Sequence, residues 1–188
     1  IHFAKPKYGL INLHAGKPPK YRGGSPLNWQ IINDEKYFGL SVIKINNGID
    51  TGDIITDKKF KLLKKYKIED LHKIANKYFP ILLFDSIKKI LSKKKLKKQN
   101  NNKASYFKQR KPEDSYIDPT QTTYKKLILL LRAMSFSYPS PYVFYKGKKI
   151  LIKKIKISNI KINFKTENII YKSGKIFLKL RNKIVKIN

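Results

Sequence analysis

The chain has 188 residues, of which 41% are hydrophobic, so it can enclose a core as one domain or as two small ones. It has no cysteine and only three histidines, which excludes disulfides and thiolate catalysis and makes a metal centre unexpected. The net charge of +31 is compatible with nucleic-acid binding. However, lysine is spread along the whole chain beside Ile and Asn, which is more typical of a general compositional bias.

The first part of the chain has the pattern of an α/β domain. The predicted elements are a strand at 9–15, a helix at 25–32, strands at 38–45 and 54–60, and a helix at 68–92. Ser25 is the predicted N-cap of the first helix, with Pro26 in its first turn. The second helix has acidic residues at its start and an apolar stripe along one face. Pro80 should kink or split this second helix.

We interpret the basic run Lys88–Lys103 as a helix end leading into a solvated linker. The predicted secondary structure changes after this run. Beyond it, Thr122 can cap a further helix. Short strands are predicted at 142–145, 149–157, 169–171, 175–180 and 183–187, and they suggest a small barrel or curled sheet. We therefore predict a first domain over 1–92, a basic linker over 93–108 and a β-rich domain over 109–188.

A polar pair stands on the first predicted strand. Asn12 and His14 are two residues apart, so both side chains should point to the face opposite Ile11 and Leu13. Asp50 follows a later strand in the turn-rich stretch "NNGIDTGDI", and the three groups converge if the two strands are neighbours, at the sheet edge where α/β proteins bind ligands. An amide could then donate to an oxyanion while the carboxylate orients the imidazole. The alternative is structural, with His14 capping a loop and Asp50 in an Asx turn.

The amino-acid sequence of these segments favours the catalytic interpretation over the structural one. The stretches "INLHAGKPPKYRGGSPLNWQIIN" and "FGLSVIKINNGIDTGDII" resemble the folate-dependent formyltransferase family, and "RKPEDSYID" and "LLRAMSFSYPSPYVFYKGKK" extend the resemblance over nearly the whole chain. It implies an α/β fold: the C-terminal part of a Rossmann-like formyltransferase domain, followed by a small β-rich, barrel-like domain. Because the chain starts at Ile1 on what reads as a connection into a strand, we expect an N-terminal portion to be missing.

The resemblance also implies roles for particular residues. Asn12, His14 and Asp50 match the family's catalytic triad. The co-substrate 10-formyltetrahydrofolate would be held by the loop residues Asn46, Asn47, Gly48 and Ile49, by Asp50, and around Gly24, where many relatives carry Arg. No metal is implied. The resemblance indicates a cytoplasmic enzyme without a membrane partner, and a homodimer is one assembly it allows.

Two acceptors remain open within this family. "HAGKPPKYRGGSPLNW" and "SYPSPYVFYKGKK" look more like the sugar N-formyltransferases, which formylate the amine of nucleotide-linked amino sugars. The positive charge would suit the alternative, methionyl-tRNA formyltransferase acting on charged initiator tRNA. A non-catalytic binding module of the same fold is a third possibility, against which the complete triad argues.

Overall fold

The computed structural model describes residues 6–135, 138–159, 164 and 167–187. Within them the chain divides into two units, residues 1–110 and 111–188. The strands of the first unit are β1 (Ile11–His14), β2 (Arg22–Gly23), β3 (Tyr37–Lys44), β4 (Ile54–Lys61) and β5 (Tyr106–Phe107); its α-helices are α1 (Pro26–Ile32) and α2 (Ile68–Leu91). No helix in the described ranges is long and apolar enough to cross a membrane.

The first unit is built on β3, the central strand of a sheet with the order β1-β3-β4. Every residue of β3 from Phe38 to Ile43 is buried, so both faces of this strand are covered. Helix α2 packs against β3 and β4 through Leu71, Ala75 and Leu82. The predicted α/β character is therefore confirmed. All pairings in this sheet are antiparallel, so the Rossmann-like arrangement stays a prediction.

Local capping differs from the sequence prediction at two helices. Ser25 holds the N-cap position of α1, but its hydroxyl makes no cap hydrogen bond; it accepts from the Arg110 amide at 3.1 Å. In the second unit the cap of α3 (Tyr124–Ala133) is Thr123, which accepts from the Lys126 amide at 3.2 Å, and its neighbour Thr122 is buried. Pro80 does not split α2, which is a single helix.

The segment 97–110 makes specific contacts with the rest of the first unit. Lys97 pairs with Ile54 through both backbone groups, and β5 lies parallel to β2. Phe107 stacks on Tyr21, with ring centroids 4.8 Å apart. Asn, Gln and aromatic residues interrupt the lysines here and supply hydrogen bonds and apolar surface. The linker at 93–108 and the domain bounds drawn from it stay a prediction.

The described residues of the second unit form α3 and two groups of strands. Strands β6 (Tyr142–Tyr145) and β7 (Lys148–Leu151) form a hairpin, and β8 (Ile155–Ile157), β9 (Ile169–Lys172), β10 (Lys175–Lys179) and β11 (Ile184–Ile187) form a sheet in the order β8-β11-β10-β9. The predicted strand at 149–157 is two strands. The β-rich character is confirmed, whereas a barrel-like closure stays a prediction because the described strands form open sheets.

Candidate active site

Asn12 and His14 lie on β1 with the predicted alternation. Leu13 is 42% exposed on one face of the strand, whereas His14 on the other face is 4% exposed. Strand β1 pairs antiparallel with β3, with Asn12 opposite Ile43 and His14 opposite Ser41. The two strands are therefore neighbours, which is the condition for the predicted convergence. Their antiparallel direction means that the loop after β3 starts beside Ile11, and it must fold back to bring Asp50 to the pair.

That loop, residues 45–53, is closed at its base. The Lys44 amide donates to the Asp53 carbonyl at 2.9 Å. A Cβ atom on Gly52 would lie 1.8 Å from the Lys44 carbonyl oxygen, so only glycine fits where the loop returns. Asp50 itself has a φ of 53°, a left-handed conformation that is uncommon for residues other than glycine. This unfavourable backbone conformation determines the direction in which the Asp50 side chain points.

The Asp50 carboxylate joins the three predicted residues. Asn12 Nδ2 donates to Asp50 Oδ1 at 3.0 Å, and His14 Nδ1 lies 3.4 Å from Asp50 Oδ2. The Gly23 amide also donates to Oδ2, at 2.9 Å. The predicted convergence of Asn12, His14 and Asp50 is therefore present in the structure. Their catalytic roles stay predictions.

The His14 ring is held from both sides. Its Nε2 lies 2.8 Å from the Tyr21 carbonyl oxygen, opposite the Asp50 contact at Nδ1. Each neutral tautomer donates to one of these two acceptors, and the imidazolium donates to both. Gly16 packs against this contact: a Cβ there would lie 2.3 Å from Nε2 and 2.8 Å from the Tyr21 oxygen. The orientation of His14 thus depends on the Tyr21 carbonyl and on Gly16 having no side chain.

The Tyr21 carbonyl is fixed by a further polar network. Tyr21 is buried with a φ of 62°, and its hydroxyl donates to Glu35 Oε1 at 2.7 Å. Burial, followed by the contact with Glu35, raises the pKa of Tyr21 well above its usual range. Burial also raises the pKa of Glu35, but hydrogen bonds from Lys17 and Tyr21, together with the charges of Lys17 and Lys20, outweigh it, so the pKa of Glu35 lies below its ordinary value. Glu35 is therefore a stable anionic acceptor behind the site.

The residues predicted to hold folate occupy two places. Asn46, Asn47, Gly48 and Ile49 are exposed on the loop beside Asp50, and Asn46 Oδ1 accepts from the Gly48 amide and from Thr51 Oγ1. Ile49 is 67% exposed, an apolar side chain open to a flat ligand ring. Gly24 directly follows Gly23, whose amide binds Asp50; it lies against the backbone of Gln109, and its amide donates to the Phe107 carbonyl at 2.8 Å. The folate-binding roles stay predictions.

Several supporting residues have no role in the sequence prediction: Gly16, Tyr21, Arg22, Gly23 and Gln99. The first four belong to the motif "INLHAGKPPKYRGG", but nothing in its spacing shows that the backbone groups of Tyr21 and Gly23 face the triad. Gln99 lies in a lysine-rich stretch and carries no sequence signal at all. Among the described residues, no group of three His, Cys, Asp or Glu is placed to hold a metal ion.

An amide and an imidazole that both contact one carboxylate, on an α/β fold, are typical of enzymes that stabilise a developing negative charge. The family described as Formyl transferase matches residues 3–87 of this chain. Two curated relatives cover 81% of it: the bifunctional polymyxin resistance protein ArnA of Wigglesworthia glossinidia brevipalpis, 35% identical, and the methionyl-tRNA formyltransferase of Caldanaerobacter subterraneus subsp. tengcongensis, 34% identical. The chain belongs to the formyltransferase family.

Solved structures agree with this assignment. The match with the methionyl-tRNA formyltransferase from Clostridium thermocellum covers 100% of this chain and 74% of that enzyme, at 26% identity and a TM-score of 0.59. WlaRD, a sugar 3N-formyl transferase solved with dTDP and 5-N-formyl-THF, matches 95% of this chain with 64% of its own, at 25% identity and a TM-score of 0.63. The chain spans 23% of the ArnA sequence and 49% of the Caldanaerobacter enzyme.

Proposed function

We propose that the protein transfers a formyl group from 10-formyltetrahydrofolate to a primary amine, and that Asn12, His14 and Asp50 carry the reaction. The observation on which this rests is the hydrogen-bonded cluster in which Asp50 contacts both Asn12 and His14. The family assignment supports it, as do the relatives named as formyltransferases. No serine or cysteine belongs to this cluster, so the proposed reaction is a direct attack of the acceptor amine on the formyl carbon. The new N–C bond forms, the bond from the formyl carbon to N10 of the folate breaks, and tetrahydrofolate leaves with the proton that the amine gives up.

In this mechanism 10-formyltetrahydrofolate supplies the formyl group. Asn12 has a second Nδ2 proton, which no described residue accepts, and it donates to the formyl oxygen as negative charge develops there. Asp50 holds the Asn12 amide in that direction. His14, between Asp50 and the Tyr21 carbonyl, exchanges protons with the reacting groups through water. The exposed loop at 46–49, with Ile49 at its tip, fits the folate ring.

We further propose a nucleotide-linked amino sugar as the acceptor. The support is the similarity over 95% of this chain to WlaRD, a sugar 3N-formyl transferase solved in the presence of dTDP. A 4-N formyltransferase from Francisella tularensis, at 27% identity and a TM-score of 0.66, adds to it. The motif "HAGKPPKYRGGSPLNW", which resembles sugar-modifying members of the family, agrees with this choice.

A second candidate acceptor is charged initiator tRNA. The observation that favours it is the similarity to methionyl-tRNA formyltransferases from several bacteria at 31–34% identity. The strong positive charge would also favour RNA, because phosphate contacts dominate the affinity.

The test measures formyl transfer by the full-length protein from 10-formyltetrahydrofolate to a panel of nucleotide-linked amino sugars and to methionyl initiator tRNA. We expect turnover with at least one sugar, and its loss in Asn12→Ala. The triple variant Lys94→Gln, Lys95→Gln, Lys98→Gln changes exposed side chains and should leave sugar turnover unaltered.

Transfer to tRNA alone, with an affinity that falls steeply with salt and is weakened by the triple variant, would replace the sugar by tRNA as the acceptor. An active Asn12→Ala variant, or no transfer to either acceptor class, would refute the proposed reaction itself.

A further inference from the structure

Gln99 connects a buried cation to the loop that carries Asp50. Its Oε1 accepts from Arg22 Nε at 3.0 Å and from Arg22 Nη2 at 2.7 Å. Its Nε2 donates to the Asp50 carbonyl at 2.9 Å and to the Gly52 carbonyl at 2.6 Å. Both ends of one amide are therefore used, one by a side chain and the other by the backbone on each side of Thr51.

Arg22 fixes the direction of that amide. It is 1% exposed, and its remaining contacts are to Tyr106 Oη at 2.6 Å and Asn101 Oδ1 at 2.8 Å. Among the described residues no carboxylate lies within ion-pair distance of it, so the guanidinium depends on neutral oxygens. A guanidinium only donates, and the Gln99 side chain must therefore turn its oxygen towards Arg22 and its NH₂ group towards the loop.

The loop needs such support at this place. The left-handed conformation of Asp50 persists only where its surroundings hold it, and Gln99 binds the carbonyl of this residue and the carbonyl two residues later. The Asp50 carboxylate in turn holds Asn12 and accepts from the Gly23 amide. A rotation of the Asp50 backbone would move all of these contacts together.

We propose that Gln99, oriented by Arg22, is a positioning residue of the active site that acts through the backbone of Asp50. The proposal rests on the proposed function, because the reaction it serves is the formyl transfer. The side chain of Gln99 contacts Arg22 and the backbone of the loop. It sets the direction of the Asp50 carboxylate and, through it, of the Asn12 amide.

The variant Gln99→Glu distinguishes the contribution of the side-chain oxygen from that of the NH₂ group. It keeps oxygens for Arg22 but replaces the NH₂ donor by a carboxylate facing two carbonyls. In the full-length protein we expect kcat to fall about tenfold to a hundredfold, as for a displacement of about 1 Å in a catalytic group, with the acceptor KM nearly unchanged. Gln121→Glu makes the same change on an exposed side chain of the second unit and should leave kcat as it is.

Hydrogen exchange provides a readout independent of activity. The Gly23 amide reports the Asp50 carboxylate directly, so it should exchange faster in Gln99→Glu, whereas the Leu40 amide in the central strand should not. Arg22→Lys, which keeps the charge but loses the fork, should produce a smaller change of the same kind. In an Asp50→Ala background, Gln99→Glu should lower kcat no further.

Wild-type kcat and wild-type Gly23 exchange in Gln99→Glu would overturn the proposal. An equal loss of kcat in the Asp50→Ala background, or faster exchange throughout the unit, would also overturn it by assigning Gln99 a general role in stability. If the wild-type protein transfers no formyl group, the proposed function fails, while the Gly23 exchange still decides whether Gln99 positions Asp50.

Discussion

Gly16→Ala should disable the site by adding a single methyl group. The Cβ would lie 2.3 Å from His14 Nε2 and 2.8 Å from both His14 Cδ2 and the Tyr21 carbonyl oxygen. Ordinary contacts begin at 3.4 Å, so the first distance is short by about 1.1 Å. Gly16 does not have a positive φ, so alanine adds no backbone strain at this position. The methyl group must instead push the His14 ring away from Tyr21.

Two consequences follow from that displacement. The buried Nε2 donor loses its acceptor, and an unsatisfied buried polar group costs about 1–3 kcal/mol of folding free energy. The ring also moves by about 1 Å relative to Asp50, and a misplacement of this size lowers turnover by about a hundredfold. We expect both losses together, with the larger fractional effect on kcat.

The assay compares kcat for formyl transfer and the free energy of unfolding in urea. Gly147→Ala is the control, because its Cβ would meet no atom within 4 Å; its φ of +75° costs some stability without touching the site. Wild-type turnover in Gly16→Ala, or a loss of turnover no larger than that of a control of equal stability, would refute the idea that the His14–Tyr21 contact orients the imidazole.

Three further outcomes are expected. Asn12→Ala should lower kcat by about a hundred- to a thousandfold, as for the loss of an oxyanion donor, in single-turnover measurements with saturating substrates; a loss confined to KM would contradict this role. His14→Ala and Asp50→Ala should be far from additive in a double-mutant cycle, because the two residues act as one unit, and additive losses would separate them. The pKa of Glu35 is lowered in the folded protein, so the wild type should be more stable than Glu35→Gln at pH values above about 4.3, and this advantage should disappear as the pH falls through the folded pKa. Urea unfolding of both proteins at pH 7 and pH 3 tests this. An equal difference in unfolding free energy at the two pH values would contradict it.

Much of the fold follows from local pattern. The strands β1, β3 and β4 and the helix α2 lie within two residues of their predicted bounds, because alternation and helical periodicity are properties of neighbouring residues. The pairing of Asn12 with His14 on one face follows for the same reason, since successive side chains on a strand alternate. Resemblance to a family then added Asp50, which spacing alone left open.

The sequence by itself determined that an amide and an imidazole share a strand face in an α/β protein of the formyltransferase family. The tertiary structure decided how they are held. Gly23 and Tyr21 reach the triad through backbone groups, which every residue carries and no side-chain pattern reveals. Gln99 reaches it from a lysine-rich stretch 49 residues beyond Asp50. Its role depends on the burial of Arg22 and on the packing of segment 97–110 against the rest of the first unit. These contacts join residues that are far apart in the sequence, so no periodic pattern predicts them.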